Sequence, residues 1–322
     1  MSAPLPFLAA VVAALLLASV LIATLVQERS ARKDRALALA RTEALDHARK
    51  YAKHASQALS TVEAALADIA ENMTGGPAAM GNALLKLHLA VKHKSLYLPQ
   101  AIDVRVFDAE GRLQANGTSY PPSAMSVAEE PFFRRHRDQW ERFVVEKPWK
   151  TPSGTWTFGL SRGITENGKF NGVVQALVDP AYFEGFQLAN EEEHAAGDPG
   201  RLDAVMLFDA DGTVLAAWVP KKTEDTIGFP VRSNTAFAGM PIKGFGSSGL
   251  QTLDSEGHVV GIIQLSDFSF RVAAALSRAA VLREWSRQVS HTTLIIAVIV
   301  LVTITFIALA IRQMRQGNRV KE

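Results

Sequence analysis

Residues Leu5–Val26 and Leu294–Ile311 form two apolar runs without a charged side chain, and a long polar segment separates them. About 20 helical residues, rising ~1.5 Å each, cross the ~30 Å hydrocarbon core of a bilayer. The runs therefore predict membrane-spanning helices over residues 1–26 and within residues 271–311. Buried core helices are the other reading, but uncharged runs of this length are rare in soluble cores. The first run exceeds the roughly 7–15 residues of a signal-peptide core, and no Lys or Arg precedes it, so an uncleaved anchor is expected. Two spans put both termini on one side. Arg312, Arg315, Arg319 and Lys321 make the tail at 312–322 basic, which favours the inside. Arg29, Arg32, Lys33 and Arg35 argue the other way, but so long an intervening segment is exported largely regardless of charge. The expectation is both termini inside, the long segment outside, and a tail too short to fold into a further domain.

The chain has no cysteine, which excludes disulfides, thiolate metal sites and cysteine nucleophiles. A formal net charge of +2 gives no sign of a nucleic-acid partner. Between Gln27 and Met73 there is neither Pro nor Gly, and Leu45, Ala48, Ala52, Ala55, Leu59, Val62, Leu66, Ile69 and Met73 recur in steps of three and four. This seam predicts a stalk helix over residues 27–74, ended by Gly75, Gly76 and Pro77. It can pack on the chain's own globular part or on the same helix of a second copy. Both readings stay open, because the Ala residues of its first half permit another helix to approach closely.

The polar segment repeats itself. Asp103-Val-Arg-Val-Phe107-Asp108-Ala-Glu-Gly111 matches Asp203-Ala-Val-Met-Leu-Phe208-Asp209-Ala-Asp-Gly212, each an apolar strand, an Asp/Gly turn and a second strand. Gly168-Lys-Phe-Asn-Gly-Val-Val-Gln175-Ala-Leu-Val-Asp179 likewise matches Gly257-His-Val-Val-Gly-Ile-Ile-Gln264-Leu-Ser-Asp267. Two tandem α+β units explain both matches: residues 75–190, further from the membrane, and residues 191–270, nearer to it. The first unit is read with a helix near Glu129–Trp140 and strands at Phe143–Glu146, Thr155–Arg162 and Phe170–Val178. Pro- and Gly-rich loops fill Pro220–Gly249, so a pocket is expected in the first unit. Phe270–Gln288 reads as a helix feeding the second span, with Val272, Ala275, Leu276, Ala279, Leu282 and Val289 roughly on one face.

Three segments carry a resemblance: Glu130-Pro-Phe-Phe-Arg-Arg-His-Arg137, Gly154-Thr-Trp-Thr-Phe-Gly-Leu-Ser-Arg162, and Gly172-Val-Val-Gln-Ala-Leu-Val-Asp-Pro180-Ala-Tyr-Phe183. In this order the chain resembles, over about residues 27–290, the double-PAS sensors. These tandem extracytoplasmic domains, also called double Cache or PDC sensors, belong to bacterial histidine kinases, diguanylate cyclases and chemoreceptors. The resemblance implies a long N-terminal helix, a membrane-distal PAS-like lobe that binds a small molecule, a membrane-proximal PAS-like lobe, and signalling as a homodimer in the bacterial inner membrane. Two departures stand out. An output domain usually follows the second span in the family, whereas residues 312–322 end this chain; and Glu130 stands where a basic residue is expected. The aromatic and Arg pattern of the amino-acid-binding subgroup has no clear match, which argues against a free amino acid.

The expected function is therefore that of a membrane-anchored extracytoplasmic small-molecule sensor, passing a conformational signal to a separate cytoplasmic or membrane output protein. The alternatives are a periplasmic scaffold that binds another protein, or the sensory fragment of a kinase or cyclase. No catalytic constellation is found, so no enzyme is expected, and no cofactor. In the distal lobe Arg135, His136, Trp156, Arg162 and Asp179 are the candidate ligand contacts. Arg135 or Arg162 would hold a carboxylate, Trp156 would supply an apolar wall or a face for a cation, and Asp179 would take an ammonium group. An organic acid or amine is the ligand class. Each also has a structural reading: Arg162 paired with Asp179, Trp156 as core. Gly244-Phe-Gly246-Ser-Ser-Gly249 fits a dinucleotide-loop pattern in the wrong context and reads as a surface loop. His88 and His93, beside Lys92 and Lys94, read as a solvated helix face.

Overall fold

The computed structural model describes residues 5–73, 83–193, 201–220, 226–240, 250–255 and 257–319. The Gly244–Gly249 loop lies outside them. The chain divides into two units: Arg41–Ser277, and Met1–Ala40 with Arg278–Glu322.

The larger unit is α+β. It takes the second half of α1 (Leu5–Asn72), then α2 (Ala83–Ser95), β1 (Ala101–Asp108), β2 (Leu113–Asn116), α3 (Pro131–Gln139), β3 (Phe143–Val145), β4 (Trp149–Lys150), β5 (Trp156–Glu166), β6 (Lys169–Val178) and α4 (Pro180–Glu193). A second set of strands follows: β7 (Leu202–Phe208), β8 (Val214–Trp218), β9 (Leu250–Ser255), β10 (His258–Gln264) and β11 (Arg271–Ser277). The first sheet has the order β2-β1-β6-β5-β3, with β4 beside β5; the second has the order β8-β7-β11-β10-β9. All pairings are antiparallel. Both sheets thus place the first and last long strands side by side, with the opening hairpin on one flank.

The duplication extends to single hydrogen bonds. In the first hairpin the Asp108 carboxylate accepts the backbone N–H groups of Glu110 (3.0 Å) and Arg112 (2.8 Å). In the second, the Asp209 carboxylate accepts those of Asp211 (2.9 Å) and Thr213 (2.8 Å). Gly111 and Gly212 follow at φ 80° and 89°, the left-handed conformation such a turn requires.

The seam of α1 turns inward on its own chain. Ala48, Ala55, Leu59, Val62 and Leu66 are fully buried, with Ala52 and Ile69 nearly so. The two halves of the seam serve different sheets. Near Ala58 the helix meets the first lobe, where the buried Gln100 amide donates to the Ala58 carbonyl at 3.0 Å. Further back, Arg41 pairs with Asp254 (2.7 Å) and Glu43 with Arg201 (2.7 Å), both in the second lobe. There the helix backbone lies on the sheet itself: a Cβ added at Gly261 would fall 2.5 Å from Ala44 C and Leu45 N. The Ala-rich half of the seam is what allows that approach. The link between the lobes is fixed to α1 by rings, with His54 stacked on Phe186 (centroids 3.8 Å) and edge-on to Phe183.

Beyond α1 the second lobe closes on an apolar layer of Met206, Phe208, Val260, Ile262, Ala273 and Phe237, the last from a short 3-10 turn. Two expectations are corrected here. Residues 271–277 are a central strand, not the start of a helix, and α5 begins only at Arg278. Val272–Leu276 are buried on both faces between β7 and β10, and such a run carries no periodicity to separate strand from helix. His88 is not on a solvated face: it is 5% exposed and its Nδ1 lies 2.8 Å from the Asn116 carbonyl.

The other unit contains the first part of α1 and all of α5 (Arg278–Arg319). Val12, Leu16, Leu17, Val20 and Leu21 are exposed, as are Leu294, Ile295, Leu301, Ile304 and Leu309. Among the described residues, no helix is long and apolar enough to cross a membrane. Residues 1–4 of the first expected span lie outside the described residues, as do several side chains of both spans.

Replacing Gly261 with Val drives a branched side chain into the α1 backbone. The expected cost is about 1–3 kcal/mol of stability, as for other overpacked cores. Chemical denaturation of the full chain in detergent checks this; an unchanged midpoint contradicts the close packing.

Candidate functional site

The face of the first sheet turned toward α3 carries a polar row. Arg105 on β1 pairs in register with Gln175 on β6, Gln175 with Ser161 on β5, and Ser161 with Val144 on β3. Alternation sends the neighbouring residues Val104, Val106, Leu160 and Val174 to the opposite face, where they are buried. α3 covers one end of the polar face. Pro131 opens that helix, and Phe132 and Phe133 anchor it against Phe107 and Phe170. Trp140 stops it in a left-handed conformation (φ 56°), with its N–H bonded to the Arg135 carbonyl.

Between α3, β3 and this face lies a cavity of about 720 Å³, lined among others by Arg105, Glu130, Phe132, Arg135, Glu146 and Gln175. Asp209 and Asp211, in the first turn of the second lobe, also line it, so both lobes contribute. Arg105 is engaged by the buried Asp103 at 3.0 Å. Glu146 is the distinctive group. The Gln175 amide donates to its Oε1 at 2.6 Å, and no described residue donates to its Oε2. Burial pushes its carboxyl up to about 7, against a smaller downward pull from the Gln175 bond. Gly159 makes this placement possible, since a Cβ there would collide with the Glu146 carboxylate.

The five candidate residues do not share one cavity. Arg135 lines the large one, where its guanidinium grips Glu141 through three contacts of 2.6–3.1 Å. His136 is 2% exposed and held at both nitrogens, Nδ1 by the Glu141 carbonyl and Nε2 by Ser161 Oγ at 3.0 Å. A carbonyl only accepts, so Nδ1 carries the proton; burial lowers the ring's pKa and keeps it neutral. Trp156 stands apart, against Lys150 (5.1 Å) and the Gly228 loop. Asp179 caps α4, accepting the Ala181 N–H at 2.9 Å. Arg162 is 8% exposed and opens into a different cavity of about 420 Å³, together with His136, Arg142 and Glu71. The alternative structural reading, Arg162 paired with Asp179, is not present among the described contacts. Sequence reasoning passed over Glu146, Gln175, Arg105 and Glu130. The signal for Gln175 was a lone amide in the apolar run Val173–Val178.

No protein-family model matches the sequence, and no curated protein matches it either. Solved structures do match. The extracellular domain of a protein assigned as a histidine kinase, rpHK1S-Z16, is 24% identical, with a TM-score of 0.60 over 77% of this chain and 99% of that one. The ligand-binding domain of the Pseudomonas fluorescens chemoreceptor CtaA, solved with L-alanine, is 14% identical (TM-score 0.51, 72% of this chain and 94% of that one). That of the Pseudomonas aeruginosa PAO1 chemoreceptor PctC, solved with GABA, is 13% identical (TM-score 0.52, 72% and 97%). The chain has the fold of extracellular sensor domains, the one its sequence motifs resemble.

Glu146 has a stability signature. Below about pH 4.5 its carboxyl is protonated in the folded and unfolded chain alike, so it contributes nothing. As pH rises from 4.5 toward 7 the unfolded chain ionises first, and this group's contribution falls; above about 7 the loss is complete. Glu146→Gln removes it. The variant's Tm advantage over the parent chain is expected to grow from pH 4.5 to 7 and then level off; a difference constant with pH contradicts the assignment.

Proposed function

We propose that the chain is a membrane-anchored extracytoplasmic sensor whose ligand, a small organic acid or amine, occupies the cavity of about 720 Å³ in the first lobe. That cavity is the observation that carries the reading. It is large enough for such a ligand, it has an apolar wall at Phe132 and Val144, and its polar groups converge on Glu146 and Gln175. The carboxyl of Glu146 suits a ligand amine when ionised and a ligand acceptor when protonated. Arg135 joins in by exchanging Glu141 for a ligand carboxylate. The fold, shared with extracellular domains of chemoreceptors, supports the same reading.

The two apolar runs anchor the chain as a two-pass protein of the bacterial inner membrane, with the lobes periplasmic and both termini cytoplasmic. The exposed, uncharged side chains at Leu16–Leu21 and Leu294–Leu309 support this, since lipid would cover them. Arg278 follows Ser277 directly, so β11 leads into α5 without a linker, and α1 joins the other run to the same lobes. A change in the lobes is thereby passed to a homodimer partner and an output protein.

Thermal-shift screening of the full chain in detergent against organic acids, amines and amino acids tests the reading. At least one class is expected to raise Tm, and Glu146→Gln to remove most of that shift. A protein partner captured by crosslinking, with no small molecule shifting Tm, would show a scaffold instead.

A further inference from the structure

We infer that the smaller cavity is a second, separate site, binding a small oxyanion (a carboxylate or a phosphate) on the Arg162 guanidinium with Arg142 beside it. Arg162 is 8% exposed, its side chain lines this cavity, and it makes no hydrogen bond or ion pair with any described residue. A guanidinium stays charged in a protein, and one that lines an open cavity without an ion pair presents its N–H donors to whatever enters there. Something of opposite sign is called for.

The described residues around Arg162 do not supply it within ion-pair reach. Glu63 and Glu71 on α1 act on Arg162 from outside ion-pair reach, each more weakly than Arg142, which repels it. Glu141 lines the cavity, but Arg135 holds its carboxylate. His136 is neutral, with both nitrogens occupied. Two guanidiniums, Arg142 and Arg162, thus line one open volume, with Glu71 beyond ion-pair reach of Arg162 and Glu141 committed to Arg135. The fork of N–H donors on Arg162 fits two oxygens of one anion.

The site is distinct from the ligand cavity. Alternation along β5 puts Ser161 on the face toward α3 and Arg162 on the opposite one, in register with Val174. Occupancy would touch α1 at Glu71 and the turn that ends α3, so an anion here would bias the lobe without entering the other cavity.

The test is calorimetric titration of the full chain in detergent with sodium phosphate and, separately, sodium malonate, at an ionic strength fixed with sodium chloride. Saturable one-site binding of at least one anion is expected, and which one binds separates phosphate from carboxylate ligands. Arg162→Gln is expected to abolish it. Arg162→Lys, which keeps the charge but loses the fork, and the exposed Arg142→Gln should each weaken it by about tenfold, the loss of one charge-assisted bond. Glu146→Gln should leave it unchanged. Absence of saturable binding by both anions overturns the inference. So does parental affinity in Arg162→Gln, or in Arg142→Gln should the former fail to fold. Loss of binding in Glu146→Gln would place the anion in the larger cavity and overturn it equally.

Discussion

The burial of one apolar stripe on α1 is the constraint from which the rest of the larger unit follows. Neither sheet can cover its own inner face. Val104, Leu160 and Val174 of the first and Val205, Leu207 and Val272 of the second are fully buried, and so are Ala48, Ala55, Leu59, Val62 and Leu66 of the helix. Burying a Leu or Val side chain is worth about 1.5–3 kcal/mol, so these positions together outweigh any surface ion pair along the helix, each worth about 0–1 kcal/mol. Small residues set how close each lobe comes. Ala44 and Gly261 let backbone meet backbone in the second lobe, while larger side chains hold the helix further from the first.

With its apolar face given to α1, the first sheet has its other face free for polar groups. Arg105, Gln175 and Ser161 stand in register across three strands there, bonded to Asp103, Glu146 and His136 respectively. Such a row would be costly in a dry core. It is tolerable at the floor of a cavity that α3 roofs at one end only. The same arithmetic explains Glu146, whose carboxyl is raised because burial beneath that roof outweighs the opposing pull of its Gln175 bond.

Much of this was legible because it is local. The Asp-x-x-Gly turns announce both hairpins, since the acid and the glycine perform their task within five residues. The three- and four-residue spacing announces α1. What the sequence left ambiguous was the seam's partner, because Ala residues suit a helix and a sheet equally. The run Val272–Leu276 was misread for want of periodicity. The grouping of the site residues is less legible. Alternation along β5 sets Arg162 with Phe158 and Leu160, away from Ser161, so two residues of one strand open on different cavities. Trp156 packs against the Gly228 loop, and Asp179 caps α4. Glu146 gave no signal, because its burial arises from how α3 and Gly159 pack around it, which no local pattern encodes.

Hydrogen exchange on the full chain in detergent tests the central claim most directly. If α1 binds both lobes into one body, amides of residues 44–69, of β6 and of β11 exchange together, in a single slow opening with a common free energy. Fast exchange in α1 while both sheets stay protected, or separate openings for the two lobes with no loss in the helix, would contradict it.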